Sequence, residues 1–188
     1  MSRIGYYGKW CYRGAVMAWN YGMSKIFGIQ RTKEIQTRIH FHKKIDLNCP
    51  RKLNEKILWT EYNTDGKMRS LLTDKYEVRK FVEQKGYKDT LVPLLGVYDK
   101  AEEVPFDGLP KKFVLKATHG CDMNYVCVDK NKLGKNEQRR LKKMMHFWLS
   151  FHIAYLSLEM HYRDIRRRII CEEYIEAEGG LPDYKFHC

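Results

Sequence analysis

The segment 112–130, KFVLKATHGCDMNYVCVDK, restricts the fold of this chain more than any other stretch. Its first half alternates core-type and outward-type positions and ends on Lys116, which is the pattern of a half-buried β-strand. The turn residues Thr118, His119 and Gly120 then interrupt the pattern before a second apolar run. The segment therefore predicts a β-hairpin with a lysine where the first strand ends.

Such a hairpin has two interpretations. A short loop with a glycine, backbone N–H groups and a flanking cation is a common phosphate-binding arrangement in proteins. A plain solvated hairpin shows the same pattern, and Lys116 is then an ordinary surface lysine. The hairpin alone does not distinguish these two interpretations, so the other segments of the sequence are needed.

The 188 residues are enough for one buried core or for two small subdomains. A hydrophobic fraction of 44% with 31% charged residues is typical of a globular protein rather than of a disordered or membrane-embedded one. The net charge of +12 favours polyanionic partners, namely nucleotides, nucleic acids, acidic glycans or an anionic membrane face. Charge alone does not choose among these partners.

The six cysteines are scattered and form no Cys-x-x-Cys pair, so they do not predict a metal site. Cys121, Cys127 and Cys171 lie in or beside strand-like runs. We expect these three to be small buried side chains, reduced in a cytoplasmic protein.

Residues 1–45 predict a helical, basic N-terminal segment without a strand pattern. Within it, residues 15–27 are too short and too polar to cross a bilayer, and residues 32–44 have the spacing of a basic amphipathic helix. The first stretch is either a helix packed on the protein body or a peripheral contact with the inner face of the membrane. The second interpretation uses aromatic residues beside basic ones: Trp19, Tyr21 and Phe27 with Arg13, Lys25 and Arg31.

The remaining chain predicts alternating helices and strands. The predicted elements are a helix after Pro50, a helix capped by Thr73 or Asp74 and ended by Gly86, a buried strand over 91–98, one long or two short helices over 136–163, a solvated basic run at Arg166, Arg167 and Arg168, a strand from Ile169, and the start of another strand over 182–188.

Three features could together bind one nucleotide. They are the helix start at Asp74 and Lys75, the hairpin with Lys116, and the acidic stretch 172–176, which we expect at a strand edge. The lysines would neutralise phosphates and the turn would cover them with N–H groups. The strand edge would offer N–H and C=O to adenine, while a carboxylate held the ribose hydroxyls.

At this point the chain resembles the ATP-grasp superfamily, and within it the TupA-like family of teichuronopeptide biosynthesis. The resemblance rests on the order of the segments NCPRKLNEKILW, TDKYEVRKFV, KFVLKATHG with DKNKL behind it, and CEEYIE followed by LPDYKFHC. It covers residues 46–188, which we interpret as a partial ATP-grasp domain after the segment 1–45. The fold that it implies is α+β, with a mainly antiparallel sheet packed with helices and an incomplete second lobe.

The resemblance also implies roles for individual residues. The implied ATP-binding residues are the two phosphate-binding lysines Lys75 and Lys116, the start of the phosphate-covering loop at Thr118, His119 and Gly120, the adenine hinge Glu172, Glu173, Tyr174 and Ile175, the ribose-binding Glu176, and a further basic residue, Lys185.

By this resemblance, the protein uses ATP with Mg²⁺ to activate a carboxylate as an acyl phosphate, in the cytoplasm, during synthesis of a cell-surface polysaccharide. The implied partners are a nucleotide and an anionic polysaccharide or its precursor. The family's magnesium ligands follow the strand near Tyr184, so we expect them beyond this chain and expect no turnover by the chain alone. The single glycine in the loop, followed by Cys121, departs from the more glycine- or serine-rich family loop.

Two other functions remain open at this stage. Similar sequences are often labelled glycosyltransferases, although this chain has no Asp-x-Asp metal motif. A non-enzymatic basic module would bind nucleic acid or a membrane face, but the basic residues are spread along the chain and no RNA-binding or helix-turn-helix pattern is present, so we expect no specific nucleic acid partner.

Overall fold

The computed structural model describes residues 3–42, 44–177, 179, 180, 182 and 184. They form an α+β fold with an antiparallel sheet, as the sequence predicts. The elements in chain order are α1 (Arg3–Phe27), α2 (Ile29–Phe41), α3 (Leu53–Asn63), α4 (Gly66–Thr73), α5 (Glu77–Gln84), β1 (Leu94–Tyr98), β2 (Phe113–Ala117), β3 (Asn124–Cys127), α6 (Lys135–Ser150), α7 (Ala154–Ser157) and β4 (Ile169–Glu173). Short 3-10 helices occur at Lys88–Thr90, Ala101–Glu103, Phe106–Gly108, Lys130–Lys132 and Met160–Asp164.

The described residues divide into two compact units. The first contains the chain up to Val78 together with Ser150–Arg166, and the second contains Arg79–Leu149 together with the chain from Arg167 onward. These units describe packing, whereas the predicted boundary after residue 45 describes the extent of the family domain. That boundary stays a prediction.

The first unit is helical and packs α1 against the segment around α7. The Asn20 side chain, only 2% exposed, donates from Nδ2 to the carbonyls of Tyr155 and Leu156 at 2.8 and 3.1 Å. A buried amide without such partners would cost stability, so this contact fixes where α1 lies. Trp10 packs edge-on against Phe151, with ring centroids 5.0 Å apart. Within the described residues, no helix has both the length and the apolar character needed to cross a membrane.

The predicted signals at α5 are confirmed. The Asp74 carboxylate accepts from the backbone N–H groups of Tyr76 and Glu77 at 2.8 and 3.2 Å, which satisfies N–H groups that a helix start leaves unpaired. Gly86 follows the helix with φ +84°, a conformation that favours glycine. Helix α4 was not predicted from the sequence. Its N-cap is Asp65, whose carboxylate accepts from the backbone N–H of Lys67.

The second unit contains the sheet, with strand order β1-β4-β2-β3. The predicted hairpin is confirmed, with Phe113 opposite Cys127 and Lys116 opposite Asn124. Phe113 and Leu115 are fully buried, and Val114 and Lys116 are only half-buried, which is the alternation that the sequence predicts. On α6, residues at helical spacing are likewise buried: Leu141, Met145 and Trp148.

Several expectations are corrected by the burial pattern. β1 is half-buried rather than buried because it lies at one edge of the sheet. Cys121 is exposed because it belongs to the loop between β2 and β3, whereas Cys127 and Cys171 are buried as expected. Arg168 is 7% exposed rather than solvated.

Two further expectations concern the helical stretch 136–163 and the end of the chain. The stretch forms α6, α7 and the 3-10 helix Met160–Asp164, so the interpretation as shorter helices is the right one. Of the predicted strand over 182–188, only Pro182 and Tyr184 are among the described residues, and Lys185 lies outside them.

We predict that Leu115→Ala lowers the free energy of unfolding of the sheet unit by about 3 kcal/mol, because a fully buried leucine leaves a cavity when it is truncated. Urea unfolding followed by circular dichroism measures this loss. Val126→Ala, on the neighbouring strand but 49% exposed, is the control and should cost about 0.5 kcal/mol or less. Equal losses in the two variants would contradict the assignment of faces.

Candidate functional site

Lys116 and Glu172 meet on one face of the sheet. In the antiparallel pair β2 and β4, Lys116 lies opposite Ile170 and Val114 lies opposite Glu172, so these four side chains share a face. The ammonium Nζ of Lys116 donates to Oε2 of Glu172 at 2.6 Å. The hairpin lysine therefore has a defined position, fixed by a carboxylate on the inner strand β4.

A second cation binds the same carboxylate. Nη1 of Arg79, on α5, donates to Oε1 of Glu172 at 3.1 Å, while its Nη2 donates to the backbone carbonyl of Val92 at 2.6 Å. A buried carboxylate is stable only when charged partners compensate its desolvation, and here each oxygen has one. The group carries two positive charges and one negative charge, so it has an excess of one positive charge.

The three side chains differ in their access to solvent. The side chains of Glu172 and Arg79 are 8% and 13% exposed, whereas that of Lys116 is 32% exposed. Lys116 is thus the outermost member of the group, and its ammonium can contact an incoming anion without leaving the sheet face. This arrangement is suited to binding a phosphate or carboxylate.

The turn after β2 faces inward. The N–H of Thr118 donates to the Arg168 carbonyl at 2.9 Å, and its Oγ1 accepts from the Arg168 N–H at 3.1 Å. Nε2 of His119 lies 3.1 Å from the Trp148 carbonyl, a contact in which the ring nitrogen donates. Thr118 and His119 are 0% and 1% exposed, and Gly120 is also buried.

This geometry limits how the turn could cover a phosphate. The side chains of Thr118 and His119 and the amide of Thr118 already have partners within the protein, whereas Cys121 and Asp122 form the exposed part of the loop. Asp122 adopts a left-handed conformation with φ +59°. The predicted phosphate contacts of Thr118, His119 and Gly120 stay a prediction, and they would have to use the loop backbone beyond Thr118.

The stretch 172–176 is not an edge strand, which corrects the expectation from the sequence. β4 lies between β1 and β2, with Glu172 opposite both Leu94 and Val114. The backbone N–H of Glu173 donates to the Pro93 carbonyl at 3.0 Å. Hydrogen bonding to adenine from Glu172 and Glu173 would compete with the sheet, so a hinge of this kind would rely on the residues that follow.

Residues 174–176 leave the sheet and contact the start of β2. Lys112 forms an ion pair with Glu176, and its ammonium lies 5.7 Å from the centroid of the Tyr174 ring. The hydrogen bond to Glu176 raises the pKa of Lys112 above its ordinary value. Ile175, between these two contacts, is 44% exposed. The last part of the predicted hinge is thus a short segment that contacts the sheet through Lys112.

The candidate residues are divided between the two units. Lys75 belongs to the first unit, directly after the helix cap Asp74, and its assignment as a phosphate-binding residue stays a prediction. The other described candidates belong to the second unit: Lys116, Thr118, His119, Gly120, Glu172, Glu173, Tyr174, Ile175 and Glu176.

Arg79 and Lys112 were not predicted as site residues from the sequence. Both lie inside the segments that carried the resemblance, Arg79 in TDKYEVRKFV and Lys112 at the start of KFVLKATHG. In the sequence these two residues are distinguished only by a positive charge, which is common in this basic chain. A positive charge alone does not predict an ion pair with a glutamate distant in sequence.

A family model described as TupA-like ATPgrasp matches residues 55–188. This match covers most of the chain. The chain belongs to the TupA-like ATP-grasp family. The comparison with curated proteins and the comparison with solved structures each found no match.

ATP-grasp proteins generally bind ATP and Mg²⁺. The positive excess at Lys116 and Arg79 fits a nucleotide phosphate. The part of the chain that the structure describes gathers no three His, Cys, Asp or Glu side chains around one point, so these residues do not by themselves fit a magnesium site.

We predict that Glu172→Gln lowers the free energy of unfolding by about 3 kcal/mol, because it removes the charge that compensates two cations on a largely buried face. Chemical unfolding with urea measures the change. Glu173→Gln, one residue along β4 and exposed, is the matched control and should change stability by about 0.5 kcal/mol or less. If both variants were equally stable, the Glu172 carboxylate would not be a structural charge.

We also predict that iodoacetamide modifies Cys121 at mildly alkaline pH while Cys127 and Cys171 remain unmodified in the folded protein. Burial raises the pKa of the Cys127 thiol and raises that of Cys171 to about 12, so little reactive thiolate forms at either residue. Peptide mass spectrometry identifies the modified residues, and the two buried cysteines should react once urea unfolds the protein. Rapid modification of Cys171 in the native protein would contradict its placement in the sheet.

Proposed function

We propose that this protein binds ATP on the sheet face that carries Lys116, as a ligase-like member of a family in which ATP serves to activate a carboxylate. The observation that carries the proposal is the buried Glu172 carboxylate with two cationic partners, of which Lys116 is the more exposed. The family match over residues 55–188 supports the nucleotide as the anion.

The roles of the three charged residues follow from their exposure. Lys116 would turn its ammonium from Glu172 to a phosphate oxygen of ATP and neutralise part of the charge there. Glu172 would then keep Arg79 as its partner, so that no buried carboxylate is left without a cation. Arg79 is therefore a positioning residue, which allows Lys116 to exchange partners at low cost.

Residues 174–176 would bind the adenine. Beyond β4 their backbone can present an N–H donor beside a C=O acceptor, which is what the adenine edge requires, and the exposed Ile175 side chain offers an apolar surface to the ring. The contacts of Lys112 with Tyr174 and Glu176 would keep the segment in place before the nucleotide arrives. Glu176 would bind the ribose hydroxyls by exchanging its ion pair with Lys112.

In the reaction that we propose for the family, a carboxylate oxygen of the acceptor attacks the γ-phosphorus of ATP. The bond from that phosphorus to the bridging oxygen breaks, ADP leaves, and an acyl phosphate forms on the acceptor. An amine then attacks the acyl carbon, the bond from that carbon to the phosphate oxygen breaks, and inorganic phosphate departs as an amide forms and the nitrogen releases one proton to solvent. We propose that the acceptor is a cell-surface polysaccharide of the teichuronopeptide type or its precursor, made in the cytoplasm, and the net charge of +12 suits such an anionic substrate.

The proposal predicts that Lys116→Gln weakens ATP binding about tenfold or more, because a charge-assisted hydrogen bond is worth about 1.5–3 kcal/mol. Isothermal titration calorimetry with ATP and the full chain measures the affinity. Lys111→Gln is the matched control, since it removes an equal charge from an exposed neighbouring lysine and should leave the affinity within about twofold.

Sugar nucleotides and a single-stranded RNA serve as competing ligands in the same titration. ATP should bind more tightly than either ligand, and Lys116→Gln should reduce that preference. Tighter binding of a sugar nucleotide would instead favour a glycosyltransferase, and an equal loss of ATP affinity in both lysine variants would remove Lys116 from the site.

A further inference from the structure

One side of the helix α1 carries large apolar side chains that are exposed. Its buried positions include Trp10, Asn20 and Ser24. On the opposite side lie Tyr12, Ala15, Trp19 and Ile26, at helical spacing along one stripe. Tyr12, Trp19 and Ile26 are 64%, 62% and 74% exposed. Scattered apolar side chains are normal on a protein surface, but large ones in line on one helix face indicate a binding surface.

The apolar face continues onto α2. A groove of about 340 Å³ runs between the two helices, and its walls are almost entirely apolar. Trp19 and Met23 of α1 and Ile35 and Ile39 of α2 are among its lining residues, and Ile39 is 58% exposed. The two helices therefore share one apolar surface, which we call the α1–α2 face and define by Tyr12, Trp19, Ile26, Ile35 and Ile39.

Basic residues surround this face. Residues 1–45 contain nine lysines and arginines and a single acidic residue, Glu34. Arg31 binds Glu34 at 2.7 Å, so even this carboxylate is compensated. Arg31, Arg38 and Lys44 are exposed and line one recess together with Ile35, whereas the ammonium of the exposed Lys25 lies 5.3 Å from the centroid of the Tyr21 ring. An apolar helix face that carries Trp and Tyr and is bordered by lysine and arginine is the composition of helices that lie in a membrane interface.

The structure also sharpens the membrane interpretation of the sequence. Tyr21 packs edge-on against Tyr155, with ring centroids 5.0 Å apart, and Arg13 lies 4.7 Å from the centroid of the Trp10 ring. These two residues contact their own unit instead of belonging to the α1–α2 face. Trp19 remains on the face from the original set and Arg31 remains among the basic residues beside it, whereas Phe27, although 50% exposed, is not one of its defining residues. Tyr12, Ile26, Ile35 and Ile39 join Trp19.

We infer that the α1–α2 face lies on an anionic lipid bilayer, with its apolar side chains among the headgroups and the basic residues against lipid phosphates. A second copy of this chain is the competing occupant, but two such faces would bring two strongly basic segments together without acidic partners, which costs energy. An anionic lipid surface attracts both parts of the face. This inference does not depend on the proposed nucleotide site, which lies on other residues.

Sedimentation with vesicles tests the inference. The full chain should bind vesicles of phosphatidylglycerol and phosphatidylcholine in equal parts, should bind phosphatidylcholine vesicles much more weakly, and should dissociate at high salt. Equal binding to both vesicle types, or no binding to either, would overturn the inference. ATP titration of the same sample is a separate measurement, so its failure would affect only the proposed function.

Two sets of variants locate the contact. The double variant Trp19→Glu with Ile26→Glu should abolish vesicle binding, whereas Tyr87→Glu, which changes an aromatic residue 63% exposed in the other unit, should not. Arg38→Gln and Lys44→Gln should each weaken binding about fivefold. Lys132→Gln and Lys143→Gln, which remove exposed charges elsewhere, should change it by less than about twofold.

Circular dichroism shows whether each variant is folded, so that a loss of vesicle binding is not confused with unfolding. If Trp19→Glu with Ile26→Glu did not fold, Trp19→Ser would replace it, because a polar side chain is tolerated at an exposed position. Folded variants that still bound vesicles like the unsubstituted protein would exclude the α1–α2 face. Analytical ultracentrifugation would show a dimer that these variants dissociate if a second copy were the occupant, and that result would also overturn the inference.

Discussion

The Glu172 carboxylate is a buried negative charge on an inner strand of the sheet. Residues from several elements of the second unit compensate this charge. Arg79 approaches it from α5 and also binds the Val92 carbonyl just before β1, while Lys116 approaches from β2. Together, the three side chains connect α5, the segment before β1 and the inner strands β2 and β4. A hydrocarbon side chain at this position could pack as well, but it would leave the lysine ammonium without a fixed location. The charged group therefore fixes the position of Lys116, which a hydrocarbon side chain at position 172 could not do.

The local features of the fold could be predicted from the sequence because they depend on neighbouring residues. The alternation in β2, the Asp74 cap and the glycine at position 86 each follow from interactions within a few positions of the chain. The neighbours of each strand could not be predicted this way. The acidic stretch was expected at an edge, yet Glu172 lies on an inner strand, and an arginine 93 positions away compensates its charge. The periodicity of apolar residues along the sequence does not predict an ion pair between such distant positions.

The candidate site shows the same division. The position of Lys116 followed from the strand pattern, whereas the burial of Thr118 and His119 depends on the backbone of Arg168 and the carbonyl of Trp148, both distant in sequence. A polar turn is usually exposed, so its inward orientation gave no sequence signal. The segment 174–176 after β4 was expected to lie near the ligand. Its ion pair with Lys112 depends on the pairing of β2 with β4, which the sequence does not show.

The strand order has a consequence for how the protein is made. β4 separates β1 from β2, and it is the last of the four strands to leave the ribosome. Until then β1 has no partner in the described sheet, and β2 is paired only with β3. One edge of β1 and one edge of β2 therefore remain unpaired while α6 and α7 are synthesised. Unpaired strand edges are sites of aggregation. Insertion of β4 closes both edges in one step and brings Glu172 to Lys116, so the sheet and its charged group are completed together.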